Sequence, residues 1–252
     1  MEKVFKQLGW QRANFRGDVV PDRLGLCPLL VGLVVYALFA REQFYWLLAL
    51  GYGVLGFLDD QWGQRAPKGL RGHLRSLLAG HPTTGLLKMV GGLAIGVAIG
   101  VRLHEAVDGA ARIGAGVVSG LMIALWANFF NLLDVRPGRA GTLFMLMALP
   151  CAGLLTMQGD RVDGWVLWGV IVGLLMVLPL DRAGRGMLGD TGSNLLGGVL
   201  GTSLALLMPL WLRGLVVVGL LLIHLWAESH SLTEWLERHP LLRRLDRLTG
   251  VR

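Results

Sequence analysis

The sequence predicts an all-α fold: a polytopic membrane helix bundle with about eight transmembrane helices and both termini cytoplasmic. Three observations carry that expectation. Of 252 residues, 54% are hydrophobic and only 16% charged, whereas a soluble domain carries about a quarter charged residues. The apolar residues gather in long runs of roughly 17 to 23, the length a helix needs to cross a hydrocarbon core. The 37 glycines also suit membrane helices, because small residues let helix backbones approach closely.

Taken in order, residues 1–23 form a basic N-terminal segment and the apolar runs follow at 24–40, 43–58, 84–102, 112–133, 141–157, 164–180, 193–210 and 212–227. The first run follows basic residues, as a signal peptide would, but no A-x-A site closes it and further runs follow, so it is expected to be retained. The longest loop, about 61–83, is polar and rich in Gly, Arg and His. Only Pro209 and Arg213 punctuate the last two runs. Cys27 and Cys151 lie far apart in separate apolar runs without C-x-x-C spacing, which fits small buried hydrophobes rather than a metal or redox pair. The whole chain, 1–252, is expected to form one integral-membrane domain: an N-terminal segment (1–23), the bundle (24–227) and an interfacial tail (228–252).

An even number of spans divides the loops into two sets. One set, containing both termini, holds 18 Lys and Arg residues and the other only 5, so the positive-inside rule places the first set in the cytoplasm. The net charge of +7 therefore reports topology and does not call for nucleic acid. In the tail, Ser231 and Glu234 have capping-box spacing. Beyond Pro240, Leu241, Leu242, Leu245 and Leu248 form an apolar stripe against Arg243, Arg244 and Arg247, as in a helix lying on an anionic membrane surface.

Candidate chemistry gathers at the cytoplasmic ends of the runs. Asp59, Asp60 and Asp134 each close an apolar run, where the helix dipole is already negative and disfavours a carboxylate without a cation. Asn128, Asn131 and Asp134 are spaced three and three, within an arc of about 120° on one helical face. They can bind a polar ligand, supply oxygen to a metal, or make interhelical hydrogen bonds. The segment MLGDTGSN over 187–194 places Asp190 and Thr191 between Gly189 and Gly192, with Ser193 opening the next run. Such a turn can present helix N-terminal N–H groups to a phosphate beside a carboxylate that holds a cation. Lys68, Arg71, His73, Arg75 and His81 lie in the 61–83 loop, Lys88 opens the third run, and Arg136 and Arg139 follow Asp134. Each arginine is equally compatible with a topology signal. Carboxylates and basic groups on one membrane face suit a metal-bridged pyrophosphate. His104 and His224 stand alone, and no H-x-x-x-H or Cys/His cluster argues for zinc.

These pieces, in this order, resemble the polyprenyl-phosphate N-acetylhexosamine-1-phosphate transferase superfamily. NFRGDVVP (14–21) resembles its N-terminal Asn/Gly/Pro segment, and FLDDQWG (57–63) its Asp-Asp motif. KGLRGH (68–73) with TGLLK (84–88) resembles the basic loop, NFFNLLD (128–134) the N-x-x-N-x-x-D helix, and MLGDTGS (187–193) the last Asp motif. The chain departs from the pattern at DVRPGRA (134–140), where Pro137 stands in place of a second aspartate. The family's late histidine-rich sugar-recognition loop is not recognisable, and its members have about ten spans.

The resemblance implies transfer of a sugar-1-phosphate, N-acetylhexosamine-1-phosphate in most members, from a UDP-sugar to undecaprenyl phosphate, with release of UMP. It implies a bacterial plasma-membrane enzyme working at the cytoplasmic face, with Mg²⁺ as cofactor and Mn²⁺ as the alternative. Asp190 and Asp60 would serve the metal, Asp59 would keep the lipid phosphate ionised, and Asp134 would complete the catalytic set. Asn128, Asn131, Lys68, His73, Lys88, Arg136, Arg139, Thr191 and Ser193 would bind substrate. A homodimer is admissible. Two other functions stay open: a catalytically reduced homologue that binds polyprenyl phosphate or nucleotide, and a small ion- or proton-coupled transporter. Coupling carboxylates in transporters lie near the midplane, whereas all four aspartates here are at run ends.

Overall fold

The computed structural model describes residues 5, 7–40, 43–63, 84–158 and 161–251. Every apolar run is a helix: α1 (Leu26–Phe39), α2 (Phe44–Trp62), α3 (Thr84–Leu103), α4 (Gly109–Leu133), α5 (Arg139–Met157), α6 (Arg161–Arg182), α7 (Gly189–Leu207) and α8 (Leu210–Ala227). Among the described residues five helices are long and apolar enough to cross a membrane: α3, α4, α5, α6 from Gly164, and α8. This is a multi-pass membrane protein. The other three helices fall outside that set, where about eight spans were expected. With 14 residues, α1 rises about 21 Å, short of a core of about 30 Å. Helix α2 ends in two aspartates and α7 begins with a polar turn.

The polar-looking α7 sits at the centre. Every residue from Thr191 to Ala205 is buried, and α2, α4 and α5 pack around it. Its small residues allow this, since the site of Gly197 abuts the backbone of Trp126 and Ala127. The hydroxyls of Thr202 and Ser203 each donate over 2.8 Å to the carbonyl four residues earlier, so burying them leaves no donor unpaired. Helix α3 packs along α4 and α2, α1 and α5 against α6, and α8 against α4. Outward-facing Leu30, Leu146, Met176 and Leu222 are exposed, as expected of side chains that face lipid. Helix α7 stops where Met208 turns extended and Pro209 begins α8, so the faint punctuation there is a real break.

One small hairpin accompanies the helical bundle. Strands β1 (Gln11–Ala13) and β2 (Val19–Pro21) pair antiparallel, with Gln11 opposite Pro21. The Asn14 side-chain oxygen accepts from the amides of Arg16 (2.8 Å) and Asp18 (3.0 Å), which closes the turn. The hairpin then docks on the chain before α7, because Asn14 Nδ2 donates to the Gly184 carbonyl over 2.9 Å. Strands of three residues carry too little alternation to be read from sequence.

Two short helices follow the bundle, α9 (Leu232–Arg238) and α10 (Pro240–Thr249). Ser231 Oγ accepts from the Glu234 amide, as the capping-box spacing predicts. The lone histidines are structural. His104 Nε2 lies 2.8 Å from buried Arg213, and His224 Nδ1 bonds the Leu220 carbonyl.

Candidate active site at the aspartate end of the bundle

The ends of α2 and α4 and the start of α7 carry the predicted carboxylates, the start of α3 carries Lys88, and α2 and α7 meet most closely. Asp60 is 8% exposed and points at the N-terminus of α7. Its Oδ1 accepts from the Asp190 amide (3.0 Å), and its Oδ2 from the Thr191 amide (2.8 Å) and hydroxyl (2.7 Å). Helix α7 has no capping side chain of its own, with Leu188 at its N-cap. A carboxylate from α2 thus satisfies the orphan amides that a helix start leaves open, where the dipole favours negative charge. Gly56 makes the approach feasible, because any Cβ there would overlap the Asp190 carbonyl. Gly189, with φ +71°, supplies the turn.

This geometry bears on two of the expected roles. Both oxygens of Asp60 accept from α7, so Asp60 places Asp190, and Oδ1, with a single donor, is the oxygen left with acceptor capacity. The Thr191 hydroxyl spends its proton on Asp60. Ser193 is likewise internal, donating to Asn131 Oδ1 and the Gly189 carbonyl, each over 3.1 Å.

Asp59 faces the other way. Lys88 Nζ lies 2.8 Å from Asp59 Oδ2 and 2.5 Å from Asp190 Oδ2, bridging carboxylates from two helices. The side chains of Lys88 and Asp59 are 14% and 15% exposed and that of Asp190 33%, so Asp190 is the member most open to a ligand. Lys88 reaches both because it stands one turn into α3.

The third wall comes from α4. Asn131 reaches α7 through Ser193, and Asp134 is the C-cap residue of the helix. Asn128 is exposed. Desolvation and the charges of Asp181, Asp190 and Asp60 push the Asp134 carboxyl well above the usual carboxylate range. Asp181 was not anticipated from the sequence. It is 2% exposed and accepts from the Gly138 amide over 3.1 Å, which fixes the turn after Asp134. Its signal was present, since it too closes an apolar run, but no motif surrounds it.

Asp22 and Arg23 were also missed. Arg23 Nη1 donates to Gln61 Oε1 (2.6 Å) and Nη2 to the Asp60 carbonyl (3.0 Å). Its guanidinium lies 4.8 Å from the Trp10 ring centroid and 5.4 Å from that of Phe57, so it clamps the end of α2. Buried Asp22 stands beside it and burial raises its carboxyl. Residues 21–25 run alongside 187–188 through backbone bonds from Met187 to Pro21, Leu24 to Met187 and Gly25 to Leu188. The N-terminal segment is thus a frame for the α7 turn.

The two arginines after Asp134 do not face the carboxylate cluster. Arg139 is 4% exposed and makes a two-pronged pair with Asp246 (2.8 and 3.0 Å), with Thr233 Oγ1 at 3.2 Å. Arg136 lies over the Phe15 ring and 3.7 Å from Glu237. The expectation that they hold phosphate gives way to one in which they fasten the tail. Lys68 and His73, with Arg71, Arg75 and His81, lie outside the described residues.

Among the described residues no three carboxylate, His or Cys side chains converge as a complete ligand set. Mg²⁺ does not need one, since it keeps several waters and takes one or two carboxylates plus substrate phosphates. Asp190 and Asp134 fit that demand as hard oxygen donors in a cluster with more acid than Lys88 balances.

The site thus joins two carboxylates through a lysine, beside the Asn131 amide and the Asp60 and Asp134 carboxylates. The chain is similar to phospho-N-acetylmuramoyl-pentapeptide-transferases. It is 27% identical over 205 residues to that protein of Deinococcus radiodurans, covering 77% of this chain and 62% of the relative. It is 27% identical over 214 residues to that of Shouchella clausii, covering 82% and 64%. The matched region thus spans less than two thirds of either relative. No family model matches the chain.

Proposed function

We propose that the protein is a phosphoglycosyl transferase that moves a sugar-1-phosphate from a UDP-sugar to undecaprenyl phosphate at the membrane surface where the aspartates lie. The observation that carries this is Lys88 bridging Asp59 and Asp190, at positions that match the motifs of the resemblance and in a chain similar to named transferases. An oxygen of the lipid phosphate forms a bond to the phosphorus bearing the sugar, the pyrophosphate P–O bond breaks, and UMP leaves. Most of the barrier is electrostatic, because negative charge gathers on both phosphates.

Asp190 and Asp134 would hold Mg²⁺, which supplies Lewis-acid stabilisation of that charge when bound. Lys88, released from one carboxylate as phosphate enters, would contact a phosphate oxygen. Asp59 would keep the attacking lipid phosphate ionised and aligned. Asp60 and Gly56 hold Asp190 at the start of α7, and Asn131 with Ser193 fixes the facing wall. Partial burial of Lys88 and Asp59 lowers the local dielectric, which strengthens their interactions.

The test is purified protein in lipid with Mg²⁺, undecaprenyl phosphate and a panel of UDP-N-acetylhexosamines. Mass spectrometry should find an undecaprenyl pyrophosphoryl sugar with one of them. No lipid-linked product with any member, together with retained binding of undecaprenyl phosphate, would favour a non-catalytic lipid-binding role.

A further inference from the structure

The C-terminal helix α10 divides into three faces. At about 100° per residue, Leu242, Asp246 and Thr249 share the side turned to the bundle, where Asp246 meets Arg139 and the Thr249 carbonyl accepts from Thr142. Leu241, Leu245 and Leu248 form a second, exposed stripe, and Arg243, Arg244 and Arg247 a third, exposed face. Between α10 and the end of α6 lies a groove of about 590 Å³. Leu175, Leu178, Leu248 and Val251 line its apolar part, and Arg182 and Arg247 its polar rim.

The groove opens where a membrane-spanning helix ends, since Arg182 is the last residue of α6. It is continuous with the outer apolar surface of α6, where Leu175 and Met176 are exposed. Arg182 donates to the Leu248 carbonyl over 2.7 Å, which uses one of the five donors of a guanidinium. Val251 donates back to the Arg182 carbonyl. Among the described residues no carboxylate lines the groove. Two cations above an apolar trough at the lipid–water boundary complement a phosphate on an acyl chain.

We propose that this groove binds an anionic phospholipid of the bilayer, with its phosphate on Arg182 and Arg247 and an acyl chain along Leu175, Leu178 and Leu248. The bound lipid holds α10 down, and α10 in turn holds the turn after Asp134. Arg139 of that turn is locked by Asp246, and Gly138, with φ +74°, leaves no space for a Cβ beside the Thr249 carbonyl. The lipid thereby becomes part of the frame of the carboxylate cluster, whatever reaction the cluster performs.

Native mass spectrometry of the full chain with dioleoylphosphatidylglycerol and dioleoylphosphatidylcholine tests this. Two arginines near the surface, each contributing about fivefold, predict about a twenty-five-fold preference for the anionic lipid. Arg182→Ala with Arg247→Ala should abolish it, and the paired Lys variant should largely keep it. If the double alanine variant does not fold, Arg247→Ala alone should lower the preference about fivefold. Hydrogen exchange at 241–249 should slow in nanodiscs containing the anionic lipid, and this change should vanish in Arg247→Ala. Equal retention of both lipids by the wild type, or an unchanged preference in Arg247→Ala, overturns the proposal. Displacement of the bound lipid by an equimolar amount of undecaprenyl phosphate would also overturn it and assign the groove to that lipid.

Discussion

Asp60 Oδ2 accepts from the Thr191 amide over 2.8 Å, so the last turn of one helix caps the first turn of another. The bond fixes where Asp190 stands. Asp60→Ala should therefore lower unfolding stability by about 2 kcal/mol, more than an exposed cap, because buried amides lose their acceptor. Chemical unfolding of the purified protein measures this. A direct metal ligand would behave differently, with Asp60→Ala weakening Mg²⁺ binding at unchanged stability.

Lys88 neutralises two carboxylates at once. Lys88→Met should destabilise by roughly 3–5 kcal/mol, because both acids lose their shared cation while partly buried. Adding Asp59→Asn should recover about 1–3 kcal/mol, a non-additivity expected of groups in direct contact. Simple addition of the two losses in the double variant would mean that the bridge carries no coupling.

Arg139 and Arg136 should separate sharply. Arg139 meets Asp246 through two short bonds, with side-chain exposures of 5% and 9%, so Arg139→Ala or Asp246→Ala should each cost about 3–5 kcal/mol. Arg139→Lys should recover little, since lysine cannot form the two-pronged contact. Arg136 pairs with half-exposed Glu237 at 3.7 Å, and Arg136→Ala should change stability by less than about 1 kcal/mol. Equal losses for Arg136→Ala and Arg139→Ala in thermal unfolding would contradict this division.

The raised Asp134 carboxyl sets a pH dependence. In the folded state it retains a proton that the unfolded chain has already released, so the native state binds more protons. Stability then falls as pH rises from the ordinary carboxylate range through the elevated folded value. Mg²⁺ should offset that loss and bind more tightly at higher pH, because binding displaces the proton. Melting curves at stepped pH, with and without Mg²⁺, should diverge as pH rises. A Mg²⁺-induced shift that is the same at every pH would contradict the placement of Asp134 beside the metal.

The helices were legible because a membrane enforces long apolar runs, and the observed helices lie within a few residues of those runs. The four aspartates and Lys88 were legible through their motifs. Their division of labour was not. Asp59 and Asp60 are adjacent in sequence, and only the packing of Gly56 on α7 decides which carboxylate turns inward. Asp181 lacked a surrounding motif, and Asp22 with Arg23 belonged to a segment whose partner at 187–188 lies more than 160 residues away. Arg139 was misread for a similar reason. Its partner Asp246 sits in a tail whose Leu stripe and capping box reveal a helix but not what that helix covers.

The most direct measurement is the rate of UMP release by wild type and Asp190→Asn, with undecaprenyl phosphate, Mg²⁺ and the accepted UDP-sugar. Asp60 and Lys88 both act on Asp190, which is the most open carboxylate of the bridged set. A loss of about a thousandfold, with folding intact, is the result expected when a principal electrostatic element of a phosphoryl-transfer site is removed. Turnover by Asp190→Asn equal to wild type would contradict the assignment of this cluster as the active site.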